Sequence, residues 1–169
     1  MTTRLSSAFR FHAVSLVVAA VAGVSTYGTI AVMLPASAMF LGWVAFNMGT
    51  PSMRDAVANL GCFLLGLVFG IGTATAIGAL TPLMGTAATP LAVSGVVILV
   101  LSLRTFAPLN NPLAYFLGLT SFFYSGFGPT GATYAILASA GVFGAASCAA
   151  ATLLQDLVEP STCSAADVS

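Results

Sequence analysis

Charge is what this chain has least of. Charged residues fill 5% of its 169 positions, against about a quarter in an average soluble domain, so a water-facing surface could not be assembled from it. Lysine is absent, and the four arginines, Arg4, Arg10, Arg54 and Arg104, are scattered. No basic stripe exists to neutralise phosphates, and nucleic acid is not an expected partner. Cys62, Cys148 and Cys163 form no CxxC pair and stand near no cluster of histidines or carboxylates, which removes the spacing that zinc or redox sites need. No metal and no cofactor is expected, and Cys62 and Cys148 read as small helix-packing residues.

Catalytic signatures are missing as well. The chain holds no HExxH, no paired membrane aspartates and no serine with a histidine partner other than His12, so it is not expected to be an enzyme. Gly126, Gly128 and Gly131 match GxGxxG, but that fingerprint means dinucleotide binding only after a strand in a βαβ unit. Ionisable residues, which inside membranes mark ion paths and proton relays, are absent from the middle of every apolar segment. Arg54, Asp55, Arg104 and His12 all lie near segment ends, where they read as topology anchors and an interfacial histidine.

What is present is apolar length. Hydrophobic residues make up 59% of the chain and the mean hydropathy is +1.05. Breaks at Pro35, at Gly49-Thr50-Pro51, around Thr81 to Pro90, at Pro108 to Pro112 and at Gly126 to Pro129 leave apolar segments over residues 11–34, 36–48, 53–80, 87–107, 113–125 and 130–158. Lipid leaves no water to satisfy backbone groups, and these segments lack the alternation of a barrel strand, so helices are the expectation. The first segment follows Arg4 and Arg10 as a signal peptide would, but it is long enough to span and is read as a transmembrane helix. With six crossings and the N-terminus inside, all four arginines fall on the cytoplasmic side, as the positive-inside rule favours. Residues 1–10 then form a cytoplasmic N-terminus and residues 159–169 a disordered cytoplasmic tail.

The two short segments, second and fifth, resemble each other. Pro35, Phe40-Leu41-Gly42, Phe46, Gly49 and Pro51 are followed 76 to 78 residues later by Pro112, Phe116-Leu117-Gly118, Phe122, Gly126 and Pro129. The chain thus reads as an all-α integral membrane protein of six helices, an inverted three-plus-three repeat with residues 11–80 and 87–158 as its halves. Small residues at every fourth position predict close helix packing. Gly66 and Gly70 carry this in the third segment. In the sixth, Gly131, Ala135 and Ser139 line one face, and Ala140, Gly144 and Cys148 continue the pattern. The third and sixth segments are expected to form the packed centre.

The run from Leu34-Pro35 through Phe40-Leu41-Gly42-Trp43 to Phe46 and Gly49, with the later glycine-rich helices, resembles the domain-of-unknown-function family 1097 of small bacterial inner-membrane proteins. The resemblance covers roughly residues 15 to 155. It implies a multi-span protein of the bacterial inner membrane, and it supplies no substrate and no catalytic residue.

Inverted repeats with short, interrupted segments in matching positions point to a central solute site. Trp43, Phe46 and Asn47 in the second segment, with Thr120, Ser121, Phe122 and Tyr124 in the fifth, offer hydroxyl and amide groups beside aromatic rings, and are expected at matched depth. Such a lining suits a small neutral solute. The expected function is an inner-membrane channel or facilitative transporter for a small, uncharged polar solute, with lipid and a possible second copy of the chain as partners. The alternative is a non-transporting assembly partner whose GxxxG faces serve helix association.

Overall fold

The structure is a computed structural model; it describes residues 2–49 and 52–158, with side chains over 12–49 and 52–157. Among these residues every regular element is helical: α1 (Thr2–Ala31), α2 (Ala36–Phe46), α3 (Met53–Met84), a 3₁₀ turn (Gly85–Ala87), α4 (Ala88–Leu103), α5 (Pro112–Ser125) and α6 (Gly131–Val158). The expected helices are all present, with shifted ends. The N-terminal stretch is helical from Thr2. The break expected at Thr50 and Pro51 and the expected tail at 159–169 lie outside the described residues.

Local chemistry explains where the helices stop. Met33 takes a positive φ of 58° and closes α1, and Pro35, in extended conformation, precedes α2. Pro112 occupies the first turn of α5, where its missing N–H costs nothing. Gly126, left-handed at φ 68°, ends that helix. Between α3 and α4 the break falls within the expected stretch from Thr81 to Pro90. α3 runs through Pro82, and it is Gly85, at φ 56° and ψ −129°, that ends it. Thr130 Oγ1 accepts the backbone N–H of Thr133 at 3.2 Å and so satisfies one of the free donors at the start of α6.

Among the described residues three helical stretches are long and apolar enough to cross a membrane: His12–Ala31, Met53–Leu103 and Gly131–Leu157. The middle one folds back on itself, because Cys62 and Val100 share one core cluster and Thr73 and Val93 line one groove. The short helices fall below a spanning length. At 1.5 Å per residue the 11 residues of α2 and the 14 of α5 reach about 16 Å and 21 Å, against about 30 Å of hydrocarbon. Helix lengths alone therefore do not give six full crossings.

The short helices are instead the most tightly packed. Gly118 of α5 lies on the α3 backbone at Phe63, Gly66 and Leu67, while Gly66 lies on the Tyr115 carbonyl. Further along, Gly70 is covered by the Phe122 side chain, so α3 and α5 run in the same direction. α2 treats α6 in the same way: Gly42 lies on the backbone of Gly141, and Gly144 on the Met39 carbonyl and Trp43 nitrogen. A Cβ at Gly42, Gly66, Gly118 or Gly144 would meet backbone, which is the close approach small residues permit. The centre expected of the third and sixth segments is thus made by α3 with α5 and α6 with α2. α3 and α6 meet each other where Gly141 takes the Phe63 ring.

One core cluster joins Met39 and Ala45, Phe63 and Leu67, Phe122, and Leu137 and Ala140, drawn from α2, α3, α5 and α6. A second holds Cys62, Val100, Ala114, Tyr115 and Leu119, with the Phe69 and Tyr115 rings stacked at 5.8 Å. The outer helices α1 and α4 leave large apolar side chains uncovered, among them Val24, Tyr27, Leu91 and Ile98. The face Gly131, Ala135 and Ser139 of α6 is exposed. Gly131 has no atom near it, so the packing expected there is absent; Ala140, Gly144 and Cys148 are the buried face.

Candidate functional site

Polar side chains gather at the end of the bundle where α2 and α4 stop and α3 and α5 start. Asn59, in the second turn of α3, is buried although its neighbours Ala58 and Leu60 belong to an apolar run. Its Nδ2 donates to the main-chain carbonyl of Met48, just beyond α2. Its Oδ1 accepts from Nδ2 of Asn111, the residue before α5, at 2.9 Å. Both halves of the buried amide are thereby satisfied, which offsets the cost of taking it out of water. Gly49, at φ 114°, turns the chain away from α2 and lies beside the Asn59 amide.

A cavity of about 330 Å³ opens beside this amide pair, lined by Met48, Gly49, Asp55, Asn59, Asn110 and Asn111 among others. Its walls come from the α2–α3 junction and from the segment that enters α5. Cys62, one turn further along α3, is fully buried and packs with Ala114 and Tyr115 of α5. The Tyr115 hydroxyl lies 3.3 Å from the Leu109 carbonyl. The start of α5 thus covers Cys62.

Two further cavities flank the bundle. One, of about 360 Å³, is bounded by Phe46, Asn47 and Ser52 on one side and Cys148, Thr152 and Asp156 on the other. The other, of about 390 Å³, is an apolar groove between α4 and α5, lined by Val93, Val96, Phe116, Thr120, Phe123 and Tyr124.

The residues expected to line one solute path are therefore parted. Phe46 and Asn47 border the α2–α6 cavity, and Thr120 and Tyr124 border the α4–α5 groove. Trp43 packs half-buried on the central cluster, and Phe122 lies buried against Gly70. The Ser121 hydroxyl is buried without a hydrogen-bond partner. Matched depth fails for a geometric reason. α2 and α5 point in opposite directions, so their corresponding residues sit toward opposite ends of the bundle. The polar cavity that does form rests on Asp55, Asn59, Asn110 and Asn111, which sequence reasoning did not select. Asn59, an amide inside an apolar helix, was the signal available.

Among the described residues no group of histidine, cysteine and carboxylate side chains is placed to hold a metal ion. The protein is an all-helical bundle with membrane-like apolar helices and a small polar cavity built from amides at one end. The family described as protein of unknown function (DUF1097) matches residues 15–152, and the chain belongs to it. No curated protein and no solved structure matches the chain.

Proposed function

We propose that the protein is an inner-membrane channel or facilitative transporter for a small, uncharged polar solute, built from two inverted halves, α1–α3 and α4–α6. The observation that carries this reading is the reciprocal packing of the short helices. The contacts Gly42 on Gly141 and Gly144 on Met39 have counterparts in Gly118 on Phe63 and Gly66 on Tyr115. The shift between the two sets is 76 residues for α2 to α5 and 78 for α3 to α6, the offsets of the sequence repeat. Each short helix packs on the long helix of the other half, and inverted repeats of this kind hold their solute near the repeat interface.

Six alternating crossings fit the same contacts. α5 runs with α3, α4 runs against α3, and α2 runs with α6, so that in this reading the start of α1, the end of α6 and the α2–α3 and α4–α5 connections share one side. Arg54 and Arg104 flank those connections, and Arg4 and Arg10 lie in the early turns of α1, which puts all four arginines on that side, the cytoplasmic one by the positive-inside rule. Because α2 and α5 are short, the irregular backbone at Met48, Gly49 and Asn110 enters the membrane's depth. Such backbone is tolerated there only where it lines a cavity, and the amide-lined cavity is at that place.

The test is solute flux in proteoliposomes, followed by stopped-flow light scattering over a panel of small neutral solutes. Faster volume change than empty vesicles for some solutes, altered by Asn111→Ala at the amide cavity, is expected. Rates equal to those of empty vesicles for the whole panel refute the reading. They would favour the assembly-partner alternative, which draws on the exposed small-residue face Gly131, Ala135 and Ser139 of α6.

A further inference from the structure

We infer that the amide cavity is the binding site of the solute, and that its ligand is a small neutral molecule of the primary-amide or urea type, taken up by displacing the Asn111–Asn59 hydrogen bond. This inference rests on the transport reading for its physiological role, but binding itself is separable from flux. The bond to be displaced is one amide donating to another at 2.9 Å, so an amide solute reproduces it with both partners. It offers its carbonyl to Asn111 Nδ2 and its NH₂ to Asn59 Oδ1. Asp55 and the Met48 and Gly49 backbone line the same space, where further N–H groups of the ligand find acceptors. A solute with hydroxyls alone lacks the planar donor–acceptor pair. The cavity, at about 330 Å³, is at the small end of ligand pockets, which begin near roughly 300 Å³.

The pseudo-symmetric position at the other end of the bundle has no such chemistry. Shifted by the repeat offsets, Asn59 becomes Leu137, Asn111 becomes Leu34 and Met48 becomes Tyr124, none of which could form an amide pair. The amide site is therefore an addition to the repeat and not a consequence of its packing, and Leu137 indicates that a leucine fits the corresponding place in a helix of this bundle.

Cys62 reports on the site. It is fully buried, one turn beyond Asn59, and packs with Ala114 and Tyr115 at the start of α5, so a ligand that parts Asn111 from Asn59 and loosens the start of α5 exposes it. The experiment uses the purified full chain carrying Cys148→Ala and Cys163→Ala, leaving Cys62 as its one thiol, and measures the rate of modification by N-ethylmaleimide. Acetamide is expected to raise that rate saturably, by at least about three-fold, while glycerol at equal concentration leaves it unchanged. Asn59→Leu and, independently, Asn111→Ala are expected to label fast without solute and to lose the response to acetamide. No change with acetamide, slowing by it, or an equal response in a variant that melts cooperatively overturns the inference. A saturable response in a protein that carries no flux would instead refute the transport reading and leave the binding site standing.

Discussion

Glycine at position 66 and glycine at position 131 look alike in the sequence, each heading a run of small residues on an apolar helix. Their surroundings differ completely: Gly66 lies on the Tyr115 carbonyl, and Gly131 has nothing within 4 Å. A methyl added at 66 must push two backbones apart, and overpacking of that kind costs about 1–3 kcal/mol. At 131 or at Gly72, equally open, the same change only removes glycine's entropy, which is worth roughly 0.5–1 kcal/mol within a helix. Thermal unfolding in detergent should therefore show Gly66→Ala melting well below the wild type. Gly72→Ala and Gly131→Ala should melt at or above it. The periodic spacing of small residues was legible in the sequence; which of two such faces a neighbour occupies was not, because each face is compatible with lipid as well as with a helix.

At the scale of elements, the short helices decide how the chain is threaded. α4 leaves the 3₁₀ turn at Gly85–Ala87 and ends at Leu103, and its pairing with α3 sets residues 86 and 105 at opposite ends of the bundle. Both positions are exposed. In sealed right-side-out vesicles, with the native cysteines replaced, Thr86→Cys should react with an impermeant thiol reagent and Thr105→Cys only after permeabilisation. Labelling of both from one side would mean that α4 does not cross. The helix ends were readable from Pro35, Pro112 and Gly126, whose backbone preferences act locally. The break expected around Thr81 to Pro90 falls at Gly85, whose positive φ stops α3 after it has run through Pro82.

For the molecule as a whole, the proposed inversion makes a quantitative demand. Gly42 and Gly118 occupy corresponding contacts, each with its Cα facing the backbone of the long helix from the other half. Gly42→Ala and Gly118→Ala should then lower the melting temperature by closely similar amounts, and the double variant should lose about their sum, as distant sites do. A large loss at one site and none at the other would count against two equivalent halves.

The long apolar segments without strand alternation determined the helical class, 5% charge made those helices membrane-like, and the repeated Phe-Leu-Gly runs marked α2 and α5 as a matched pair. Tertiary structure alone decided what the pair does. Opposite directions of α2 and α5 carry Phe46 and Phe122 apart, and three side-by-side helix ends bring Asn59 to Asn111 across 52 positions of chain. A period along one helix specifies which residues share a face, whereas the partner of that face is set by the summed packing of all the helices.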